Sequence, residues 1–157
     1  MELKICHLYP DVLNLYGDGG NIICMKRRLQ WRGIDASVAK MPIGSAQSLA
    51  GFDLVFIGGG QDFEQQVLLE DLHRGRDKEI KAAIDDGVTF LTICGGYQML
   101  GETLADPEGT ESGTAQTVRG LGLLPMRAAL SGAMPLRRQS RATSFSVSSP
   151  VSNRPCR

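Results

Sequence analysis

The sequence has no acidic residue after Glu111 and no lysine after Lys81. Residues 1–111 carry all 17 acidic side chains against ten basic ones, a net charge of −7, while residues 112–157 carry seven arginines and no acid, a net charge of +7. The formal charge of zero for the 157-residue chain is therefore a cancellation. A split of this kind indicates that two stretches of different character are joined.

Long apolar runs and paired cysteine motifs are also missing. No apolar run approaches the roughly 18 residues of a membrane span, and residues 1–9 lack the apolar block of a secretory signal, so we expect a cytoplasmic protein without membrane insertion. The four cysteines show no CxxC spacing, which argues against a zinc site or a disulfide framework. Because GK[ST] and GxGxxG patterns are absent as well, no nucleotide site is predicted.

What the sequence does contain is an alternation of strand and helix patterns. β-prone runs cover residues 3–9, 34–40, 52–57 and 88–93, and helical spacing of apolar residues covers residues 21–32, 63–73 and 77–86. The runs LVFI and VTFLTI are mostly apolar at successive positions, which is typical of parallel strands covered on both faces. The predicted fold class is α/β with a doubly wound parallel sheet, in which ligands bind at the carboxyl ends of the strands.

Residues 125–157 differ in character from the first 124. From position 126 onward the chain has seven Ser, six Arg and three Pro, with no sustained helical or strand period. Such a composition does not bury enough apolar area to offset its chain entropy. We therefore divide the chain into a domain of residues 1–124 and a disordered tail of residues 125–157. A nucleic-acid-binding arm is the less favoured interpretation of the tail, since Phe145 is its only aromatic residue.

Cys94 is the residue that points most directly to chemistry. It stands between a buried strand and Gly95-Gly96, which open a helix, and this strand-turn-helix elbow is an arrangement that presents a nucleophile. Amides at the start of a helix favour a thiolate, and the Gly95 amide is placed to donate to an oxyanion. Thr92 stands where the usual elbow has glycine, so a buried free cysteine at the strand end is the alternative.

Two further glycine clusters also lie next to predicted elements. Residues 58–60 follow a buried strand, so they share a sheet edge with Cys94, and Gly59 and Gly60 are candidates for the second oxyanion donor; a plain tight turn is the alternative. Residues 17–21 (GDGGN) precede a helix and are interpreted as a turn with an N-cap rather than as an anion site. Asp18 has no neighbour at metal-ligand spacing, so no metal site is expected.

A cysteine nucleophile needs a base, and the chain has only two histidines. His73 follows a helical stretch beside Arg74, so it is expected to be solvated at a helix end. His7 lies near the carboxyl end of the first strand, where a half-buried structural histidine is favoured over a base. The residues alone identify no convincing base.

Three segments together resemble the cobyric-acid-synthase type of class I glutamine amidotransferases. They are residues 8–22, with LYPD and NLYGDGGNI, residues 56–65, with FIGGGQDFEQ, and residues 93–101, with ICGGYQMLG. Within this family the three segments are most similar to the glutaminase subunits that act on peptidoglycan precursors. The resemblance covers residues 2–124 and implies a flavodoxin-like class I glutamine amidotransferase fold in truncated form.

The resemblance also implies a function. Cys94 would attack the side-chain amide of L-glutamine, and the amides of Gly95 and of residues 58–60 would hold the oxyanion. The ammonia would pass to a Mur-ligase-like, ATP-dependent partner subunit, which amidates D-glutamate in the peptidoglycan precursor lipid II. ATP would be used by this heterodimer partner, and no cofactor is expected in the chain itself. An amidotransferase of cobalamin-type biosynthesis and a catalytically dead docking subunit are the alternatives.

The chain also departs from the family pattern. In the family, a catalytic histidine, its acidic partner and a glutamine-binding arginine follow the GLGLL stretch, which is residues 120–124 here. The pattern is lost near Pro125, and the residues beyond it have the arginine-rich, acid-free look of a shifted reading frame. We therefore expect weak or absent glutaminase activity from this chain.

Overall fold

A computed structural model gives the fold and describes residues 2–14, 17–60, 68, 70–109 and 113–129. Four parallel strands form the main sheet in the order β2-β1-β3-β4. They are β1 (Glu2–Leu8), β2 (Asp35–Met41), β3 (Leu54–Ile57) and β4 (Thr89–Thr92). This order is the start of the 2-1-3-4-5 order of flavodoxin-like sheets, so the predicted α/β fold with a parallel sheet is confirmed.

Helices cover both faces of this sheet because the strands are apolar on both. On one face Ile5 and Phe56 pack with Ile22 of helix α1 (Gly19–Gln30). On the other face Leu8 and Val55 belong to the cluster that contains Ile80 of helix α2 (Asp77–Asp85). Alternation along β1 and β3 sends successive side chains to these two layers, which is the packing that a doubly wound sheet requires.

The chain enters α2 through a distorted helical segment. Residues Leu72–Arg76 form a π-helical turn, and Gly75 has a non-helical φ of 126°. The next residue, Arg76, is buried and donates hydrogen bonds to the carbonyls of Ser45 and Gln47 and to Glu79. These bonds tie the loop after β2 to the start of α2. Most of the helix predicted over residues 63–73 lies outside the described residues.

A second, small sheet follows the main one and was not predicted. Its strands are β5 (Thr103–Asp106), β6 (Gln116–Arg119) and β7 (Arg127–Ala129), in the order β6-β5-β7. From its composition, the segment Arg127–Ala129 was predicted to belong to a disordered tail. For these three residues the prediction is wrong, because the structure shows a strand. The reason is backbone pairing, since β7 runs parallel to β5. Residues 130–157, the rest of that predicted tail, lie outside the described residues.

The carboxyl ends of the four parallel strands meet at one edge. Leu8 pairs with both Met41 and Ile57, and Ile57 pairs with Thr92. The segments that follow these strands are therefore brought side by side, which is where a doubly wound sheet places its ligand site. None of the helices within the described residues is long and apolar enough to cross a membrane.

Candidate active site

Cys94 lies just beyond the carboxyl end of β4, in a strained turn. Its φ of 49° and ψ of −117° are unusual for a residue with a side chain, and it immediately precedes the one-turn helix α3 (Gly95–Gln98). The Cys94 carbonyl accepts hydrogen bonds from the amides of Tyr97 (2.9 Å) and Gln98 (3.0 Å), which fixes the turn. Non-glycine residues in such conformations cluster at functional sites. The elbow predicted from the sequence is present.

The Cys94 side chain is exposed. The alternative of a buried structural cysteine is therefore wrong, because the positive φ turns the residue out of the strand and away from the packed layers. As the first residue of α3, Gly95 has an amide with no acceptor inside that turn. That this amide donates to an oxyanion stays a prediction.

Residues 58–60 lie directly beside the elbow. A Cβ atom added to Gly59 would lie 3.0 Å from the Cβ of Cys94 and 3.8 Å from its sulfur. A Cβ atom on Gly96 would lie 2.6 Å from the carbonyl oxygen of Gly58 and 2.7 Å from the side chain of Ile57. Only glycine fits at position 96, because the two backbones approach this closely, whereas a side chain at position 59 would require Cys94 to shift by a few tenths of an ångström. The structure thus brings together Cys94, Gly95 and Gly59, three residues that the sequence assigned to one site.

Asp18 joins this site, and sequence reasoning gave it a different role. It occupies the N-cap position of α1 but makes no side-chain capping bond. Asn14 takes that role instead, since its side-chain oxygen accepts from the Gly19 amide at 2.7 Å. The Asp18 carboxylate, only 3% exposed, accepts from the Gly59 amide at 3.3 Å. The contact joins residues 41 positions apart, so the local pattern carried no signal of it.

The Asp18 bond changes what residues 58–60 contribute. The N–H of Gly59 is directed to the carboxylate, so it is not available as the oxyanion donor that the sequence predicted. The missing side chain of Gly59 leaves open a position 3.8 Å from the Cys94 sulfur. The donation of an oxyanion hydrogen bond by Gly60 stays a prediction. Asp18 also lies so close to Gly58 that only glycine fits there, because an added Cβ atom would lie 2.9 Å from the Asp18 Cβ.

His7 is buried in the sheet rather than placed at Cys94. It is 3% exposed, and its ring meets the ring of Phe56 edge-on at a centroid distance of 5.3 Å. Strand β3 lies between β1 and β4, so His7 and the end of β4 are about two strand spacings, roughly 10 Å, apart. Burial lowers the pKa of His7, Lys40 lowers it further, and the negative charge of Asp18 opposes the shift. The sequence predicted a half-buried histidine, and the structure buries it completely.

His73 lies on the exposed surface of the Leu72–Arg76 segment, as predicted. Within the described residues, no hydrogen bond joins Cys94 to either histidine. The chain has no third histidine. A thiol that is exposed and oriented is therefore present without an imidazole partner.

The other described cysteines provide contrasts to Cys94. Cys6 is fully buried in β1, and this burial raises its pKa to about 12 against a weaker opposing effect of Arg76. Cys24 is exposed on α1. Cys156 lies outside the described residues. Cys6 and Cys24 are thus a buried and an exposed reference thiol within the same molecule.

The segment after the elbow is held by residues 120–124. Amides of Leu121 and Leu123 donate to the carbonyls of Met99 and Leu100, each at 2.9 Å. A Cβ atom on Gly120 would lie 2.3 Å from the carbonyl oxygen of Gly101, so only glycine fits there. The GLGLL stretch therefore supports the chain that leaves α3.

Comparison with known proteins gives one family. The family model described as the CobB/CobQ-like glutamine amidotransferase domain matches residues 4–150. A "Lipid II isoglutaminyl synthase (glutamine-hydrolyzing) subunit GatD" of Staphylococcus aureus (strain N315) is 42% identical over 123 residues, which are 78% of this chain and 48% of the relative. The protein of the same name from Streptococcus pneumoniae (strain ATCC BAA-255 / R6) is 34% identical over 123 residues, 78% of this chain and 45% of the relative.

A second group of relatives carries a different name. A cobyric acid synthase of Prochlorococcus marinus (strain MIT 9515) is 39% identical over 89 residues, which are 54% of this chain and 17% of that protein. The chain spans about half the length of the two GatD relatives and a much smaller part of the cobyric acid synthase.

Proposed function

The chain belongs to the CobB/CobQ-like glutamine amidotransferase family, and on that premise we propose that it is the glutamine-hydrolysing subunit of a lipid II amidating enzyme. Cys94 is its nucleophile and L-glutamine its substrate. The ammonia serves a Mur-ligase-like, ATP-dependent partner subunit that amidates D-glutamate in the peptidoglycan precursor lipid II. Because that precursor is assembled inside the cell, the cytoplasm is the proposed location.

The proposed reaction begins with the Cys94 sulfur. The thiolate forms a bond to the side-chain amide carbon of glutamine, and the electron pair of the C=O π bond moves to oxygen. The Gly95 amide donates to this oxyanion, with Gly60 as the second candidate donor. The electron pair then returns and the C–N bond breaks. The nitrogen takes up from solvent a proton equivalent to the one that the Cys94 thiol released on ionisation, and it leaves as ammonia. Water cleaves the γ-glutamyl thioester, which releases glutamate and restores the thiol.

One observation supports this proposal above the others: Cys94 is exposed and lies in a positive-φ elbow, with Gly59 so close that an added Cβ atom would lie 3.0 Å from the Cys94 Cβ. A structural cysteine needs none of these features. The identity to two GatD proteins supports lipid II over a cobalamin precursor as the proposed acceptor, because those matches cover more of this chain and of the relatives.

A docking subunit without catalysis is the second candidate. It is favoured by the lack of a histidine hydrogen-bonded to Cys94 within the described residues. The two functions differ in whether the sulfur is activated. Under the docking function, Cys94 reacts with iodoacetamide no faster than Cys24, the exposed reference thiol, whereas an activated nucleophile reacts faster.

Glutamate release tests the proposal directly. The full chain and its Cys94→Ala variant are incubated with L-glutamine, and glutamate is measured enzymatically over hours. We expect slow release by the wild-type chain, because no imidazole assists Cys94, and none by the variant. Equal release by both chains would contradict the proposed role of Cys94.

A further inference from the structure

Asp18 is a buried carboxylate to which the proposed reaction, as described above, gives no role. A carboxylate at 3% exposure is costly unless hydrogen-bond donors satisfy it. Its two oxygens face different donors, with the Gly59 amide at 3.3 Å and the Asn21 side-chain amide at 3.5 Å. The first of these donors belongs to the segment beside Cys94, and the second to α1.

The position of Asp18 in the chain makes this arrangement informative. Aspartate at an N-cap normally accepts from the amides of its own helix. Here Asn14 supplies the oxygen that receives the Gly19 amide, so the Asp18 side chain is left for residues 58–60. The start of α1 is thus joined to the segment that follows β3.

Residues 58–60 are enclosed on two sides, by Leu13 and Asp18 on one side and by the elbow of Cys94 on the other. The Asp18 Cβ and the Leu13 carbonyl oxygen would lie 2.9 Å and 2.3 Å from a Cβ atom on Gly58. On the opposite side, Gly59 and Gly96 fit against the elbow. The segment is therefore clamped between Asp18 and the turn that carries Cys94.

We propose that Asp18 is a positioning residue, which orients the peptide units of residues 58–60 through the Gly59 amide so that the space and the donors beside the Cys94 sulfur suit a tetrahedral oxyanion. This inference rests on the proposed glutaminase function and deepens it. Misplacement of a catalytic group by about 1 Å costs on the order of 100-fold in rate, so loss of the Gly59 bond is expected to slow acylation of Cys94.

The test compares one reaction that passes through an oxyanion with one that does not. Acylation of Cys94 by the γ-(p-nitrophenyl) ester of L-glutamate forms an oxyanion, and its leaving group departs without protonation. Alkylation by iodoacetamide displaces iodide and forms none. Both rates are measured on the full chain, with the Cys94→Ala variant as background, and ester acylation is followed from low to saturating ester.

Three variants separate positioning from folding. Asp18→Ser keeps a good helix N-cap but is too short to reach Gly59, and Asp18→Asn keeps an oxygen that accepts from Gly59. Gly20→Ala changes the first turn of the same helix at a position where an added Cβ atom meets no other atom within 4 Å, so it leaves the Asp18–Gly59 bond in place. Circular dichroism and unfolding in urea show whether each variant is folded.

We expect Asp18→Ser to lower the saturating rate of acylation by about 10- to 100-fold, with its iodoacetamide rate within about twofold of wild type. Asp18→Asn and Gly20→Ala should acylate at close to the wild-type rate. Equal acylation by Asp18→Ser and wild type, or an equal loss in both reactions, overturns the positioning role while the proposed function stands. Failure of the wild-type chain to be acylated overturns the proposed function and this inference with it. If Asp18→Ser does not fold, loss of acylation in a folded Asp18→Asn overturns the claim that the accepting oxygen is what matters.

Discussion

Gly59 and Cys94 lie so close together that a single added methyl group on Gly59 would come within 3.0 Å of the Cys94 Cβ. The contact joins the end of β3 to the end of β4, and it leaves open the space into which the Cys94 sulfur can direct a substrate carbon. The position of each segment is therefore restricted by the other.

The first prediction concerns this contact. Gly59→Ala should displace either residues 58–60 or the Cys94 side chain, because the new methyl group and the Cys94 Cβ cannot both keep their places. We expect acylation by the γ-(p-nitrophenyl) ester to fall by about tenfold or more. Overpacking of this kind also costs about 1–3 kcal/mol of stability, which urea unfolding measures.

Gly20→Ala is the matched control for that substitution. Gly20 lies in α1, and an added Cβ atom there meets no other atom within 4 Å. Alanine in a helix is favoured over glycine by about 1 kcal/mol, so this variant should be at least as stable as wild type and acylate normally. Normal acylation by Gly59→Ala would show that the close contact is not needed.

The second prediction concerns the thiols. At pH 7.5 iodoacetamide should modify Cys94 fastest and Cys24 at the rate of an ordinary exposed thiol. Cys6 should stay unmodified in the folded protein, because burial raises its pKa to about 12 and excludes the reagent. Mass spectrometry of peptides after timed labelling separates the three sites.

Unfolding in urea is the control for the labelling experiment, since it should make Cys6 react at the rate of Cys24. Rapid labelling of Cys6 in the folded state would contradict its buried position in β1.

The third prediction is a pH dependence of stability that originates at His7. Its pKa in the folded protein lies below the ordinary value of 6.5, chiefly because of burial. The unfolded chain therefore binds a proton more readily in the range below 6.5, so stability contributed by neutral His7 is fully present above pH 6.5 and is lost as the pH falls toward the folded pKa. Lys40 strengthens the effect and Asp18 weakens it.

His7→Gln removes this titration. Free energies of unfolding in urea are compared for wild type and variant at pH 8, 7, 6 and 5. As the pH drops below 6.5, the free energy of unfolding of the wild type should fall relative to that of the variant. A constant difference across this range would mean that His7 does not titrate differently in the folded and unfolded chains.

The fourth prediction concerns the core on the α2 face of the main sheet. Ile80 is fully buried there, whereas Ile84 on the same helix is 39% exposed. Ile80→Ala should cost about 2–5 kcal/mol through lost burial and the cavity left behind, while Ile84→Ala should cost less than about 1 kcal/mol. Similar losses for both variants would contradict the assigned face of α2.

The main sheet could be predicted because its strands are buried on both faces. Residues 34–40 were predicted as a strand and the structure gives Asp35–Met41, and the predicted helix over residues 77–86 is Asp77–Asp85. Such runs combine β-prone or helical residues with clear glycine stops. The small sheet escaped prediction because its strands are only three or four residues long, and because β6 and β7 alternate between half-buried and exposed positions.

The site, too, could be predicted only in part from the sequence. Cys94 and residues 58–60 could be placed together from the sequence, because parallel strands end at one edge of the sheet. The contact between Asp18 and Gly59 could not, since it depends on how α1 starts relative to β3 and an asparagine four residues before Asp18 takes over the capping role. The burial of His7 likewise depends on tertiary packing, such as the contact of its ring with Phe56 of β3, which the local alternation does not reveal.

The most direct test of Cys94 as the nucleophile is the mass of the intact chain after incubation with L-glutamine. We predict that, after rapid acid quenching, a fraction of the chains carries one γ-glutamyl group, that peptide mapping places it on Cys94, and that the Cys94→Ala variant lacks it. A wild-type chain that stays unmodified and releases no glutamate, with Cys94 labelled by iodoacetamide no faster than Cys24, would contradict the proposed nucleophile and leave a docking subunit as the better description.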